Sequence, residues 1–317
     1  MKLSIGIISC NRLKYLKALI TSLNCILKNK KDGDVIEIIV VDNASKESGL
    51  VDYLNSEESK SVIQKLFLRN NRNWKNDEYI AKNLIIKQAS HDIILFLQDD
   101  LCFIATYNYL AQAYNAFINC DALCMDICGV RNQTVFRKID YSKSYIYNNF
   151  KYWGTKNNHF QTIGLFKKHV FKECGDYPVG VKFSSWKLKG KETIQQEDYY
   201  SYIVKDKFLK TKKCKNVTIL SHIPLIIPIW NDPRGAYAFV RDNKRYGHYK
   251  SPVDGYELYY QHLTDQELDK IMSFRFPSGF TSVAKPLGWE YLKDAKGEQE
   301  KYDRHKIITE GPINDIK

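Results

Sequence analysis

Two adjacent carboxylates, Asp99 and Asp100, follow a strongly apolar stretch of the sequence at residues 93–97. Carboxylate oxygens are the ligands that Mg²⁺ and Mn²⁺ favour when they also bind phosphate groups. Two more polar clusters follow apolar stretches in the same way, at residues 9–12 and 42–43. The three clusters together suggest a metal or phosphate site, although each one alone is more typical of a solvated turn.

The elements that carry these clusters alternate in type along the first 100 residues. Apolar, β-branched stretches predict strands, and apolar residues at helical spacing predict the helices between them. This alternation is typical of an α/β fold with a parallel sheet, in which ligands bind beyond the carboxyl ends of the strands. The predicted strands span residues 3–9, 35–41, 64–68 and 93–97, and the predicted helices span residues 13–27, 50–55 and 77–88.

The composition indicates a folded protein with an anionic partner. The 317-residue chain is 44% hydrophobic and 26% charged, which argues against general disorder. Lys and Arg exceed Asp and Glu by 48 to 36, a net charge of +12 that favours an anionic partner. No nucleic-acid-binding motif is present, so we expect a phosphorylated small molecule or an acidic lipid surface rather than nucleic acid.

Hydropathy gives an expectation about location. The apolar run at the start is too short for a secretory leader, and the longest later run, residues 219–230, is interrupted by Pro224 and Pro228. We therefore expect a cytoplasmic protein, and peripheral contact with a membrane surface is left open.

Taken in order, the motifs resemble those of the family-2 glycosyltransferases, which have the GT-A nucleotide-sugar-binding fold. The resemblance covers roughly residues 3–225, with two departures. Gln98 stands where the family has the first acid of its Asp-x-Asp motif, and Ser9-Cys10 replaces its Pro-Thr-Tyr. The matching segments are IGIISCNR (5–12), VVDNAS (40–45), NNRN (70–73) before AKN (81–83), IILFLQDD (93–100), GLFKKHVFKECGD (164–176) and QQED (195–198).

The resemblance implies a GT-A, Rossmann-like, mostly parallel central sheet flanked by helices, followed by a helical or irregular C-terminal extension. We expect a catalytic domain at residues 1–250, with a nucleotide-binding half at 1–105 and an acceptor-binding half at 106–250. The extension and a charged tail would occupy residues 251–317.

The resemblance also implies an inverting transferase that moves a sugar from a UDP- or dTDP-sugar to a hydroxyl of a glycan, glycolipid or other acceptor. Asp198, with Glu197, is the expected general base, although acids at a helix start also act as caps. Asp100 and His222 are the expected ligands of a divalent cation, Mn²⁺ or Mg²⁺, and a structural histidine is an equal alternative for His222. The expected nucleotide-sugar-binding residues are Ser9, Asn11, Arg12, Asp42, Asn43, Asn73, Lys82 and Asp99.

Within that set, Asp42 has a role that follows from its chemistry. A carboxylate accepts a hydrogen bond from the N3–H of uracil or thymine, whereas it would repel the ring nitrogens of a purine. UDP- and dTDP-linked donors are therefore expected first.

Two other classes of function compete with this interpretation. A sugar-phosphate nucleotidylyltransferase would need a glycine-rich phosphate loop after the first strand, and residues 9–12 contain no glycine. A non-catalytic protein that binds a nucleotide sugar or a polyanion would agree with the net positive charge and with the amide at Gln98.

Overall fold

The computed structural model describes residues 1–73, 76–103, 105–127, 139–148, 150–155, 158–160, 163–179, 187–188, 191–192, 196–221, 225–228, 248–250 and 290–292. The helices are α1 (Leu13–Leu27), α2 (Leu50–Leu54), α3 (Glu57–Lys60), α4 (Asp77–Gln88), α5 (Tyr107–Ile118), α6 (His169–Cys174) and α7 (Gln196–Val204). A π-helical turn, Lys205–Leu209, continues α7.

The strands that form the main sheet alternate with these helices in the amino-terminal half of the chain. They are β1 (Lys2–Ser9), β2 (Val35–Asp42), β3 (Lys65–Leu68), β4 (Ile93–Gln98), β6 (Ala122–Asp126), β7 (Ile139–Tyr147), β8 (Phe150–Thr155), β9 (Gly164–Lys167) and β12 (Asn216–Ser221). The short strands outside it are β5 (Leu101–Phe103), β10 (Lys187–Leu188), β11 (Lys191–Glu192), β13 (Ile226–Pro228), β14 (His248–Lys250) and β15 (Glu290–Leu292).

Over the described residues, the main sheet has nine strands in the order β3-β2-β1-β4-β9-β6-β12-β8-β7. The first four strands are parallel to one another, as predicted. Strands β9 and β8 are antiparallel to both of their neighbours, so the other seven strands run in one direction. The sheet is therefore mixed but mostly parallel in direction.

Helices cover both faces of the sheet because its central strands are apolar on both faces. In β4, Leu95 and Leu97 pack into the core on the face that α1 and α5 cover. Ile94 and Phe96 pack into the opposite core, with apolar residues of α4, α6 and α7. This helix–sheet–helix layering confirms the predicted α/β fold class.

Within the described part of the chain, no helix has the length and apolar character needed to cross a membrane. Residues 251–289 and 293–317, most of the expected C-terminal extension and charged tail, lie outside the described residues. The expected domain boundary near residue 250 stays a prediction. In this region the structure describes the antiparallel pairing of β14 with β15.

A buried acid joins three strands near the amino end of the sheet. The Glu37 carboxylate on β2 accepts hydrogen bonds from Ser4 Oγ of β1 at 2.5 Å and from Ser90 Oγ at 3.0 Å, and it pairs with Lys65 Nζ of β3 at 2.9 Å. Burial alone would raise the pKa of Glu37, but these hydrogen bonds lower it from 4.5 to about 2.

The low pKa of Glu37 predicts an acid-sensitive contribution to stability. Because the folded pKa lies below the unfolded value, this contribution is present above about pH 4.5 and is lost as the pH falls towards 2. We expect Glu37→Gln to lower the free energy of unfolding at pH 7 by about 2 kcal/mol, and to have a smaller effect near pH 3. Urea denaturation at both pH values measures this difference. The exposed Glu57→Gln variant is the control, and equal losses in the Glu37 variant at both pH values would contradict the prediction.

Candidate functional site

The predicted polar clusters meet at one edge of the sheet. Ser9 at the end of β1 lies beside Asp42 at the end of β2, and Ile8 lies beside Gln98 at the end of β4. The backbone continues the pairing for one step, since Asp99 N donates to Ile8 O at 3.0 Å. The expectation that these strand ends share one edge is therefore confirmed.

Arg12 pairs with both adjacent carboxylates at this edge. Its Nη1 lies 2.6 Å from Asp100 Oδ2 and 3.2 Å from Asp99 Oδ1. Asp99 Oδ2 also accepts a hydrogen bond from Cys10 N at 2.8 Å. The carboxylate side chains are only 5% and 6% exposed, whereas Arg12 is 29% exposed. A partly exposed guanidinium therefore pairs with two buried acids.

The ionisation of these groups reflects their burial. Burial raises the pKa of the Asp99 carboxyl above its usual range, the Arg12 guanidinium opposes that rise, and the neighbouring Asp100 adds to it. Burial would lower the pKa of Arg12, but the two carboxylates raise it overall. The three groups form one electrostatic unit.

The loop after β2 is ordered by the acid that ends the strand. Asp42 is 1% exposed, and its two oxygens accept hydrogen bonds from Ser45 N and Ser45 Oγ. Asn11 N donates to Ser45 Oγ at 2.8 Å, and Asn11 Oδ1 accepts from Lys46 N at 2.6 Å. Asn11 and Ala44 both have φ of 53°, in the left-handed region that alanine rarely adopts. Asp42 therefore fixes the shape of the loop that follows it.

A polar cleft of about 610 Å³ lies against this loop. Three cationic residues line it: Lys46 after β2, and Arg69 and Arg72 after β3. Arg69 Nη1 donates to Asn43 Oδ1 at 2.6 Å and pairs with Asp77 at 2.8 Å, and Arg72 Nε lies 3.3 Å from the same acid. The remaining lining residues are Asn11, Ala44, Ser45, Asn70 and Asn71.

The other predicted donor-binding residues near the cleft lie in its supporting structure. Ser9 is fully buried, and its Oγ has no hydrogen-bond partner among the described atoms. Asn43 N donates to Ser9 O at 2.8 Å. Asn73 forms the turn before α4, where its backbone N donates to Asp77 Oδ1 at 2.7 Å. Of the eight predicted donor-binding residues, Asn11 is the one that lines this cleft.

Lys82 lies in a buried site beside Gln98. Its side chain is fully buried, and Nζ pairs with Glu78 Oε1 at 2.6 Å. The ammonium also lies 5.6 Å from the ring centroid of Tyr79 and 5.4 Å from that of Tyr177. Gln98 Nε2 donates to the same Glu78 oxygen at 3.4 Å. The carboxylate that pairs with Lys82 therefore comes from the same helix, α4.

Glu197 and Asp198 lie in the first turn of α7, as the sequence predicts for a pair at a helix start. Tyr200 and Ser201 anchor this helix. Tyr200 OH donates to Gly175 O at 2.6 Å, and Ser201 Oγ accepts from Phe160 N at 2.9 Å. These two hydrogen bonds therefore attach α7 to Gly175, which follows α6, and to Phe160.

The same anchor connects α7 to the Lys82 site. The ring centroids of Tyr200 and Tyr177 are 4.3 Å apart, and the Tyr177 ring faces the Lys82 ammonium. The Tyr177 ring therefore connects Lys82 on α4 to Tyr200 on the helix that carries Asp198.

The fit of a divalent cation can be judged from the donor atoms. The oxygens of Asp99 and Asp100 are hard ligands that suit Mg²⁺ or Mn²⁺ when diphosphate oxygens and water complete the coordination. Among the described residues, no group of three or more His, Cys, Asp or Glu side chains is placed to hold a metal ion by itself. His222, the other expected ligand, lies outside the described residues.

The structure adds residues that the sequence patterns did not indicate. Lys46, Arg69 and Arg72 line the cleft, and Glu78 pairs with Lys82. Arg69 directly follows β3, so the rule that polar groups at strand ends form the site would have found it if applied to this strand too. Glu78 and Lys82 form an i, i+4 pair on α4, so the helical spacing of opposite charges would have indicated this contact.

A parallel α/β sheet with a cationic cleft beyond the carboxyl ends of its first strands is the arrangement of nucleotide-binding α/β proteins. The sequence model described as "Glycosyl transferase family 2" matches residues 4–175, more than half of the chain. The chain therefore belongs to glycosyl transferase family 2, as the resemblance of its motifs indicated. Membership supports a role in glycosyl transfer. No curated protein gives a significant match to the chain.

Solved structures similar to the chain are glycosyltransferases of low sequence identity. S. aureus TarS 1-349 in complex with UDP-GlcNAc is 16% identical, with a TM-score of 0.46, over 98% of this chain and 74% of that one. Mannosyltransferase PcManGT from Pyrobaculum calidifontis, in complex with GDP-Man and Mn²⁺, is 16% identical, with a TM-score of 0.41, over 56% and 48%. In another match, to S. aureus TarS, the aligned part covers only 35% of the TarS chain, with a TM-score of 0.44 and 16% identity. With every TM-score below 0.5, the family assignment rests on the sequence match.

Proposed function

We propose that this protein is an inverting glycosyltransferase that takes a sugar from a UDP- or dTDP-linked donor to a hydroxyl of a glycan or glycolipid. The observation that carries the proposal is the cationic cleft, which Lys46, Arg69 and Arg72 line beside the ordered Asp42–Ser45 loop. Positive side chains and backbone amides at a strand-end edge suit a nucleoside diphosphate. The nucleobase of the donor would bind against the side of the cleft whose loop Asp42 orders.

The first chemical need of such a transfer is stabilisation of the leaving diphosphate. Arg69 and Arg72 are held in place by Asp77, so they can meet the diphosphate oxygens without reorganising. Asp100, with Asp99 beside it, would hold a divalent cation together with those oxygens. Such a cation supplies further positive charge to the leaving group when it is bound.

The second need is a base that removes the proton of the acceptor hydroxyl. We propose Asp198 for this role, with Glu197 beside it in the first turn of α7. A single base on the acceptor side implies one in-line displacement, and one displacement inverts the configuration at the anomeric carbon. Lys82 and Asp99 would contribute to donor binding from the buried floor of the site, since both side chains are buried.

The proposal predicts donor turnover with a defined base preference. We expect UDP- or dTDP-sugars to release nucleoside diphosphate in the presence of the protein and Mn²⁺, and ADP-sugars to be poor substrates because the ring N1 of adenine is an acceptor that a carboxylate would repel. The measurement is a panel of nucleotide sugars with detection of released diphosphate and of thermal stabilisation by each nucleotide.

The same panel separates the competing functions. Release of pyrophosphate from a nucleoside triphosphate and a sugar phosphate would instead support a nucleotidylyltransferase. Thermal stabilisation by a nucleotide without any release would support a non-catalytic nucleotide-sugar-binding protein. Neither release nor stabilisation with any donor would contradict the transferase proposal.

A further inference from the structure

We propose that Arg12 is the built-in counter-cation of the Asp99–Asp100 pair, and that it sets the affinity of this pair for a divalent cation by competing for the same oxygens. The inference deepens the proposed function, on which it rests for the expectation that such a cation accompanies the donor. It assigns to Arg12 a positioning and regulatory role rather than a general part in donor binding.

The geometry shows why the two cations compete. Arg12 Nη1 bridges one oxygen from each acid, at 2.6 and 3.2 Å. Both acids are nearly buried, and the guanidinium occupies Asp99 Oδ1 and Asp100 Oδ2, so a cation that coordinates these two oxygens together meets the guanidinium there. Two positive groups on one pair of carboxylates repel each other at close range. A divalent cation therefore enters by displacing Arg12.

Gln98 makes this competition stronger than it would be with three acids. The amide at this position adds no negative charge, and it hydrogen-bonds to Glu78 rather than to the acid pair. Arg12 offsets part of the negative charge of the two acids, so the cluster with Arg12 in place attracts a divalent cation less than the bare pair does. The charge left for a metal thus depends on where the Arg12 side chain lies.

The position of Arg12 allows it to move. It precedes α1, where its backbone O accepts a hydrogen bond from Leu16 N at 2.9 Å, so the helix start holds the backbone in place. The side chain is 29% exposed, and the preceding residue, Asn11, lines the cleft. A displaced guanidinium can therefore turn towards the cleft and the diphosphate expected there, which would couple metal entry to donor entry.

Titration of the full chain with Mn²⁺ alone, followed by electron paramagnetic resonance of the free ion, tests the proposal. Removing the charge in Arg12→Gln should tighten Mn²⁺ binding at least about tenfold, since a charge-assisted bridge no longer has to be broken. Arg12→Lys should give a smaller change, because it keeps the positive charge but on a shorter and more strongly hydrated group. Adding Asp100→Asn to Arg12→Gln should remove the gain.

Arg69→Gln is the matched control, because Arg69 also pairs with an acid at this edge but contacts Asp77 rather than the Asp99–Asp100 pair. It should leave the Mn²⁺ affinity unchanged. An Arg12→Gln affinity equal to that of the wild type, a gain of equal size in Arg69→Gln, or no Mn²⁺ binding in either protein would overturn the proposal. Should Arg12→Gln unfold before it can be titrated, Arg12→Lys is titrated instead. A tighter Mn²⁺ affinity than that of the wild type would support the proposal, and an equal affinity would overturn it. No nucleotide is present, so failure of the transferase proposal would show separately, in the donor panel.

Discussion

Replacing Asp198 with asparagine should lower turnover at least about a hundredfold, with little change in the affinity for the donor nucleotide. Asparagine keeps the shape of the side chain and can still cap the first turn of α7, but it cannot take a proton from the acceptor hydroxyl. A role limited to capping would therefore leave turnover almost intact. The measurement is the rate of diphosphate release with the preferred donor, together with calorimetric titration of the nucleotide.

A second acid on the same segment gives the control. Asp206 lies in the π-helical turn that continues α7, where it forms an exposed pair with Lys210. Asp206→Asn removes the same charge from the segment without altering its first turn, so it should leave turnover unchanged. If Asp198→Asn kept more than about a third of the wild-type rate, Asp198 would not be the base, and Glu197 would be the next residue to test.

Gly164→Ala should destabilise the fold severely. Gly164 starts β9 with φ of +124°, a conformation that residues with a Cβ rarely adopt. An added Cβ would lie closer than 3.0 Å to the carbonyl oxygen of Met125, and backbone cannot move aside as a flexible side chain can. We expect a loss of about 4 kcal/mol or more, which lowers the melting temperature by about 10 °C or leaves the protein insoluble.

Gly33→Ala separates the two causes of that loss. Gly33 also has a positive φ, of +85°, but an added Cβ there meets nothing within 4 Å. It should therefore lose only the conformational part, about 1 kcal/mol. Equal melting temperatures for the two variants would show that the close approach of Gly164 to Met125 does not matter.

The predictions from sequence succeeded where short-range periodicity decides the structure. Helix α4 begins and ends where its pattern predicted, at Asp77 and Gln88, and the first four parallel strands lie as expected. The joining of the polar clusters at one edge followed from the strand order. The bounds of these elements depend on residues a few positions apart, whereas the parallel pairing that brings the strand ends together follows from the alternation of strands and helices.

Other features depend on contacts between distant residues, which no local pattern reports. The antiparallel insertion of β9 between β4 and β6 is one such contact. The bridge from Arg12 to the acids at residues 99 and 100 is another, because it depends on the reach and direction of one side chain. The helix whose start was expected at Glu197 and Asp198 is α7. It begins at Gln196 and becomes a π-helical turn at Lys205, a change of repeat that a 3.6-residue pattern does not detect.

The pairing of Glu78 with Lys82 makes positions 78 and 98 epistatic. The ammonium of Lys82 is neutralised from α4, so an amide is sufficient at position 98, where the family has an acid. Reverting Gln98 to aspartate alone would place two carboxylates against one buried ammonium, and removing Glu78 alone would leave that ammonium without its pair. Only replacing both residues together, with an acid at position 98 and none at position 78, keeps one carboxylate for the one ammonium. Changing one residue at a time between this chain and a relative with the acid at position 98 therefore passes through a destabilised variant.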